Sequence, residues 1–171
     1  TDICEYVDTI LVPDVHHRLS PCPYHTLIHL DPTGTYRVNA ACEEPAEMIH
    51  APWFVLPPVV EHYFKAGNPY YKTLPPWRND CQPNDDNQAV MDVIYPRNLS
   101  EIYIPVSLSG KREKVIFEVA HRQEDVKIFW YLDSDFIGTT QQFHKKGFIP
   151  ASGWHTLTLT DSKGNSVSRR F

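Results

Sequence analysis

The sequence predicts a mostly β protein in two regions: a disulfide-stapled β-hairpin region with a proline-rich connector and a short helix, then a β-sandwich. Short apolar runs with a period of two residues fill the second half of the chain, as is typical of strands. Fifteen prolines outnumber seven glycines, which favours extended connections over helices. All four cysteines lie in the first half. We therefore expect the hairpin region over 1–84 and the sandwich over 89–171.

Composition argues against several classes of function. With 42% hydrophobic and 22% charged residues, the chain has the composition of a folded domain. The net charge is −5 and the 16 lysines and arginines are scattered, which argues against a nucleic-acid partner. No stretch approaches the roughly 20 apolar residues of a spanning helix, and the first residues lack a signal-peptide pattern. We expect a soluble piece of a longer protein that makes no membrane contact itself.

The first strand pair is predicted around the turn Pro32-Thr-Gly34. Residues 25–31 alternate polar with apolar side chains, and residues 35–39 resume an extended pattern. Opposed residues in this hairpin have numbers that sum to about 65, so Cys22 and Cys42 meet at its open end. We predict a Cys22–Cys42 disulfide and assign Cys4 to Cys81 by elimination. The even cysteine count suits an oxidising compartment.

A zinc site is the alternative to a disulfide for Cys22 and Cys42. Cys22, His25, His29 and Cys42 have the residue types of a tetrahedral site. A second Cys-x-x-Cys pair is missing, however, and His25 and His29 would lie about 13 Å apart along one face of a strand. We therefore favour disulfides and expect neither a metal nor a cofactor.

The passage from Glu44 to Pro83 is rich in proline and aromatic residues. Within it, residues 57–66 predict a short helix that Gly67 ends, with Val60, Tyr63 and Phe64 on its buried face. The whole aromatic group is Trp53, Phe54, Tyr63, Phe64, Tyr70, Tyr71 and Trp77. Sugars stack well on exposed aromatic rings, but such rings are more often core. We expect them to pack the connector against the hairpin.

Seven short strands are predicted after residue 89, which favours a β-sandwich. They cover residues 90–95, 101–106, 115–121, 127–133, 136–140, 154–160 and 166–171. Val115, Phe117 and Val119 share one face of a strand, and Trp130 is predicted to be the central core residue. A turn over 161–165 precedes the last strand.

Several strings resemble the C-terminal region of penicillin-binding protein 1C. In the second half these are KVIFEVAH from Lys114, KIFWYLD from Lys127, FIGTT from Phe136 and PASGWHTLTLTDSKGNSVSRRF from Pro150. In the first half they are Pro21-Cys-Pro-Tyr-His25 with Tyr36-Arg-Val38, and Trp53-Phe-Val-Leu-Pro-Pro58 with Leu74-Pro-Pro76. The resemblance covers nearly the whole chain, from about Cys4 to Phe171.

The resemblance implies an Ig-like terminal sandwich in the periplasm, within a bifunctional peptidoglycan glycosyltransferase and transpeptidase that is anchored elsewhere in the inner membrane. Transpeptidase chemistry needs Ser-x-x-Lys, Ser-x-Asn and Lys-Thr-Gly motifs around its acylated serine. None of the three occurs in this chain; Lys72-Thr73, for example, is followed by Leu74. We therefore expect a non-catalytic accessory region.

A possible binding surface is predicted at one end of the sandwich, where loops commonly carry function. His121 and Arg122 end a strand, His144-Lys145-Lys146 form a basic loop, and His155 lies near another strand start. Trp77 in the connector is a further candidate. We identify no carboxylate or nucleophile that would make these histidines catalytic, because Asp133 and Asp135 are better explained by a tight turn.

The expected role is recognition. The leading hypothesis is contact with a protein, either the parent's transpeptidase domain or a partner such as bacterial α2-macroglobulin, which is found associated with this family. The rivals are binding to peptidoglycan itself and a purely structural spacer. A contiguous apolar patch would favour a protein partner, whereas exposed aromatic side chains in a groove would favour the wall.

Overall fold

The computed structural model describes residues 22–81 and 89–171, together with Cys4, Asp8, Thr9 and Leu11. The chain divides into two compact units, of which the first contains Thr1–Leu56 and Tyr70–Asn87 and the second contains Pro57–Pro69 and Gln88–Phe171. The short helix, which the sequence assigned to the hairpin region, therefore belongs with the sandwich. None of the helices in the described ranges is long and apolar enough to cross a membrane.

The first unit contains a two-stranded antiparallel sheet. Strand β1 (His25–Leu30) pairs with β2 (Ile49–Phe54), so that His25 lies opposite Phe54. The predicted turn is present, but its predicted second strand is wrong, since residues 35–39 form no strand and Arg37 makes only isolated bridges, with Leu30 and with Trp77. The cause is Asp31, whose carboxylate accepts hydrogen bonds from the backbone amides of Thr35 and Tyr36 and holds them in a loop.

The predicted disulfide pairing is also wrong, because Cys42 is bonded to Cys81 with their Cα atoms 5.4 Å apart. Cys22 precedes β1, whose partner is β2, so Cys22 is not opposite Cys42. Its Sγ instead lies 3.3 Å from His25 Nδ1. The disulfide packs in the small core of this unit, whose members are Val38, Met48, Cys81, Cys42 and Trp77.

Helix α1 (Pro58–Gly67) begins with proline in its first turn, as predicted, but buries a different face. Val60, Tyr63 and Phe64 are all exposed, whereas Pro58 and Glu61 are buried. An ion pair between Glu61 and Arg122 explains this, since it turns the side of the helix that carries Glu61 toward the strands of the sandwich.

The sandwich has two antiparallel sheets. One has the order β3-β4-β7 and the other β6-β5-β8-β9. The strands are β3 (Met91–Tyr95), β4 (Val115–His121), β5 (Ile128–Leu132), β6 (Asp135–Thr140), β7 (Lys145–Phe148), β8 (Thr156–Asp161) and β9 (Ser166–Arg170). Six predicted strands are confirmed. Residues 101–106 form no strand, and β7 was not predicted.

The two sheets close on a common core. Phe117 and Ile128 are fully buried with Leu157 and Leu159, and Trp130 lies among them at 0% exposure, as predicted. The indole N–H of Trp130 donates to Thr140 Oγ1 at 2.8 Å. The mostly β fold with its sandwich is thus confirmed.

The distribution of strands between the sheets has a partial counterpart in immunoglobulin constant domains. The first, second and fifth strands of the sandwich share one sheet, and the third, sixth and seventh share the other, as they do there. The fourth strand, β6, lies beside β5 and not in the first sheet.

Candidate functional site

A groove of about 530 Å³ opens at the end of the sandwich where β8 begins and β9 ends. We call it the Trp154 groove; it is lined by residues 100–104, Val106, Arg112, residues 150–155 and Phe171. Two segments outside the strands form most of its lining. The sequence predicted residues 101–104 of the first as part of a strand, and it predicted another strand to start within the second, at Trp154.

The first segment keeps its alternation of side chains although it joins neither sheet. Ile102 and Ile104 pack against the sandwich core, and the intervening Tyr103 is 82% exposed. In the second segment Trp154 is 59% exposed, and the guanidinium of Arg170 lies over its ring at 4.9 Å. The groove therefore presents two large aromatic side chains to solvent.

His155 holds the second segment in place. Its Nδ1 lies 2.8 Å from Asp133 Oδ2 and its Nε2 lies 3.1 Å from the carbonyl oxygen of Ala151. Both partners are acceptors, so His155 satisfies both only with a hydrogen on each ring nitrogen. The hydrogen bond from His155, followed by one from the Thr156 amide, lowers the pKa of Asp133 below its usual range.

The opposite end of the sandwich carries a second cleft of about 410 Å³. We call it the histidine cleft; it is lined by His62, Lys65, residues 118–119, His121, residues 123–125 and residues 142–145. His121 and His144 approach each other there, with ring centroids 6.2 Å apart. Of the predicted surface residues, His121, His144 and Lys145 therefore do meet.

The two histidines have different surroundings. The fully buried His121 side chain reaches Asp161 Oδ2 at 3.2 Å, and Asp161 also accepts from Asn165 and from the Lys163 amide in the turn after β8. Burial would raise the pKa of Asp161, but these hydrogen bonds together lower it. Burial lowers the pKa of His144 to about 4, with smaller contributions from His121 and His62.

The other predicted surface residues do not join this group. His155 lies at the opposite end of β8 from Asp161 and His121, so the expectation of one cluster is wrong for it. Arg122 is paired with the buried Glu61, and Lys145 pairs with Glu118 at 2.9 Å. The ammonium group of Lys146 lies beside Gly138 in β6.

Trp77 is part of the first unit. Its ring carries the guanidinium of Arg37 at 4.7 Å and packs in the core around the disulfide. The aromatic group of the connector as a whole does not form one core, since Tyr63, Phe64 and Tyr70 are exposed. Tyr71 and Phe54 do pack together, with ring centroids 6.2 Å apart.

One member of the zinc set considered for the sequence is not available as a ligand. Cys42 is committed to a disulfide, which removes it from the zinc set considered for the sequence. Over residues 22–81 and 89–171, no group of three or more His, Cys, Asp and Glu side chains is placed to hold a metal. The Trp154 groove was missed because its signal, an exposed Tyr103 between two anchored isoleucines, looks like an ordinary strand.

Comparison with known proteins gives one family. The sequence model of the penicillin-binding protein C-terminus family matches residues 81–171, which is just over half of the chain and includes the whole sandwich. Neither a curated protein nor a solved structure matches the chain significantly. The matched segment is the accessory C-terminal region of such proteins, and it contains the whole Trp154 groove and the histidine cleft apart from His62 and Lys65. The chain belongs to the penicillin-binding protein C-terminus family.

Proposed function

We propose that this chain is a non-catalytic recognition module of a periplasmic 1C-type penicillin-binding protein and that it binds a protein partner through the Trp154 groove. The family match supports an accessory region. The Cys42–Cys81 disulfide supports an oxidising compartment such as the periplasm. The parent protein supplies peptidoglycan glycosyltransferase and transpeptidase activity, and this region supplies a contact.

The observation that carries the proposal is a run of apolar side chains that the fold does not use. Leu99, Tyr103, Val106 and Leu108 are exposed along one segment, and Trp154 is exposed across the groove from it. The core is already filled by residues such as Trp130. Covering exposed apolar surface contributes about 25 cal/mol per Å², so these residues serve association better than folding.

The segment continues from the groove into a projecting turn. Ser107 N–H donates to Lys111 O at 2.8 Å, and Glu113 N–H donates to Pro105 O at 2.8 Å, which places Leu108 at the tip. Lys111, Arg112 and Lys114 follow and are exposed. A partner surface with an apolar patch bordered by carboxylates would complement this edge.

Two proteins are the proposed partners. One is the transpeptidase domain of the parent, which this region would hold in a defined orientation. The other is a bacterial α2-macroglobulin. Both can be purified and tested separately, so the proposal does not depend on choosing between them beforehand.

Peptidoglycan is a second candidate, and the same groove favours it for a different reason. Tyr103 and Trp154 expose aromatic faces on which sugar rings stack. Because Arg170 covers one face of Trp154, the other face is the one available to a glycan.

The test compares three variants of similar surface chemistry. Tyr103→Ala and Trp154→Ala remove the groove aromatics, and Phe143→Ala removes an aromatic residue that is also 82% exposed but lines the histidine cleft. Each is measured by biolayer interferometry against the purified transpeptidase domain and α2-macroglobulin, and by sedimentation with peptidoglycan sacculi.

We expect a protein partner to bind the wild type and the Phe143→Ala variant equally and both groove variants at least about tenfold more weakly, as removal of a central aromatic residue does. If the wild type binds only to sacculi, and the groove variants lose this binding, the ligand of the groove is peptidoglycan and not a protein. Equal behaviour of all three variants, or no binding at all, would reject the groove as the site.

A further inference from the structure

His29 and His50 face each other across the small sheet of the first unit. They are directly opposed in the register of β1 and β2, and their Nδ1 atoms lie 2.7 Å apart. Their ring centroids are 4.7 Å apart at an angle of 88°. His50 is exposed and His29 is half-buried, so the pair is open to solvent.

The contact between the two nitrogens restricts their protons. A distance of 2.7 Å requires one Nδ1–H and one lone pair, since two Nδ1–H groups would repel each other. At least one imidazole therefore directs a lone pair at the other ring. If the ring that carries the shared proton holds it on Nε2 instead, the Nδ1 lone pairs of both rings point at the same space. This change of tautomer releases no proton from the pair.

The separation of the two nitrogens is compatible with cis coordination of one metal ion. At metal–nitrogen bonds of about 2.0–2.1 Å, two ligands at a tetrahedral angle have nitrogens about 3.3 Å apart, whereas cis ligands at 90° have them about 2.9 Å apart. The observed 2.7 Å is closer to the second value. Imidazole nitrogens in a cis, square arrangement are typical of Cu²⁺ and Ni²⁺.

We propose that His29 and His50 form a two-histidine binding site for a tetragonal divalent cation, Cu²⁺ or Ni²⁺. Water completes the coordination, because no third side chain of a ligand type joins them among residues 22–81 and 89–171. The bound ion bridges β1 and β2 in a sheet of only two strands, and so stabilises this unit by an amount that grows with the logarithm of the ion concentration above the dissociation constant. The site is separate from the Trp154 groove and does not depend on the function proposed for it.

Nickel is the suitable probe, since Cu²⁺ oxidises thiols and Cys22 Sγ lies beside His25. The thiols of the full chain are first alkylated, which removes them as competing ligands. Ni²⁺ binding is then measured by isothermal titration calorimetry for the wild type, His29→Ala and His50→Ala. Two control variants are His62→Ala, on the helix of the second unit, and the double variant His16→Gln/His17→Gln.

We expect each of the first two variants to bind Ni²⁺ at least about tenfold more weakly, which is the lower end of what losing a group around a metal costs. The controls should retain the wild-type affinity. Added Ni²⁺ should raise the melting temperature of the wild type and not of His50→Ala. The proposal is overturned if His50→Ala binds Ni²⁺ with wild-type affinity, or if the wild type does not bind Ni²⁺. Because His50 is exposed, the His50→Ala variant tests the proposal even if His29→Ala fails to fold.

Discussion

Arg122 donates to the carboxylate of Glu61, and this ion pair connects the end of β4 to the buried face of helix α1. Glu61 is 1% exposed, and its Oε1 atom has no hydrogen-bond partner within the described ranges. Burial raises the pKa of Glu61, against the opposing charges of Arg122 and Lys65. The helix is therefore docked by a charge that is costly to bury unless it is paired.

Replacing Arg122 with methionine should destabilise the second unit by about 3–5 kcal/mol, because a buried carboxylate is left without its partner. Urea denaturation at pH 7 measures this change in the free energy of unfolding. The loss in the free energy of unfolding should be smaller at pH 5. Without Arg122 the pKa of Glu61 rises further, so the folded state binds a proton on Glu61 at that pH.

Glu124→Gln is the matched control for that change. It breaks the Lys65–Glu124 pair, which is 3.8 Å long with a glutamate side chain that is 89% exposed. Such a pair contributes less than about 1 kcal/mol. If Arg122→Met costs no more than Glu124→Gln, the Glu61 pair does not dock the helix.

The Cys42–Cys81 disulfide should stabilise the first unit. The two cysteines are 39 residues apart, and closing a loop of this length contributes about 4 kcal/mol in the chain-entropy account. The Cys42→Ser/Cys81→Ser variant should therefore unfold at a lower urea concentration, as followed by hydrogen exchange of β1 and β2 amides. Peptide mapping without reduction should yield a fragment that joins Cys42 to Cys81; a Cys22–Cys42 fragment would contradict the structure.

His144 should keep its neutral form well into the acid range, since burial lowers its pKa from 6.5 to about 4. Between these values the unfolded chain binds a proton that the folded chain does not, so stability falls as the pH falls from 6.5 to 4. Imidazole NMR resonances measure the pKa directly. In His144→Gln the pH dependence over this window should be flatter, and an unchanged slope would show that another group is responsible.

The sandwich was predictable because its strands carry their own signal. Val115, Phe117 and Val119 alternate with polar or exposed residues, and only a strand places such residues on one side. Strand β7 was missed for the opposite reason: Lys-Lys-Gly-Phe has no alternation, and the neighbour β4 defines it by pairing. Residues 101–106 were predicted as a strand because alternation also arises where Ile102 and Ile104 anchor a segment on the core although it joins neither sheet.

The first unit was less predictable because its contacts are distant in sequence. Local turn rules favour the nearest strand, yet β1 pairs with β2 across an intervening loop. Pro52 lies within β2, and proline is tolerated in a two-stranded sheet, where every strand has an open edge. The helix face was misread because an ion pair decided its orientation, and apolar periodicity contains no information on Arg122.

Gly138 should be required by the backbone of β6. It lies opposite Trp130, next to a register shift in the pairing of β5 with β6, and has a φ of +129°. Gly138→Ala should destabilise the sandwich by about 1–3 kcal/mol, because other residues avoid this conformation, and the new Cβ also meets the Lys146 ammonium group. Gly67→Ala in the helix has open space around it and should stabilise by up to about 1 kcal/mol. Chemical denaturation compares the two; equal effects would mean that the conformation of Gly138 is not needed.

Asp133 should link the acid stability of the sandwich to the wall of the Trp154 groove. Its Oδ2 accepts from His155 and its Oδ1 from the Thr156 amide at 2.9 Å. The pKa of Asp133 is lowered from 3.8 in the folded chain, so as the pH falls this carboxylate is protonated first in the unfolded chain. The stability that Asp133 contributes is therefore present above about pH 4 and lost below it. This window lies below that of His144, so the two groups can be separated by pH.

Asp133→Asn should therefore lower the melting temperature by a few degrees at pH 6 and flatten its decline below pH 4. It should also weaken any ligand of the groove, since His155 would lose the carboxylate that holds residues 150–155 in place. Asp135→Asn, at the exposed start of β6, is the control in the same turn. If Asp133→Asn and Asp135→Asn change the melting curve and the ligand affinity equally, Asp133 serves only the turn. The wall of the groove is then held by the backbone pairing of His155 with Phe171.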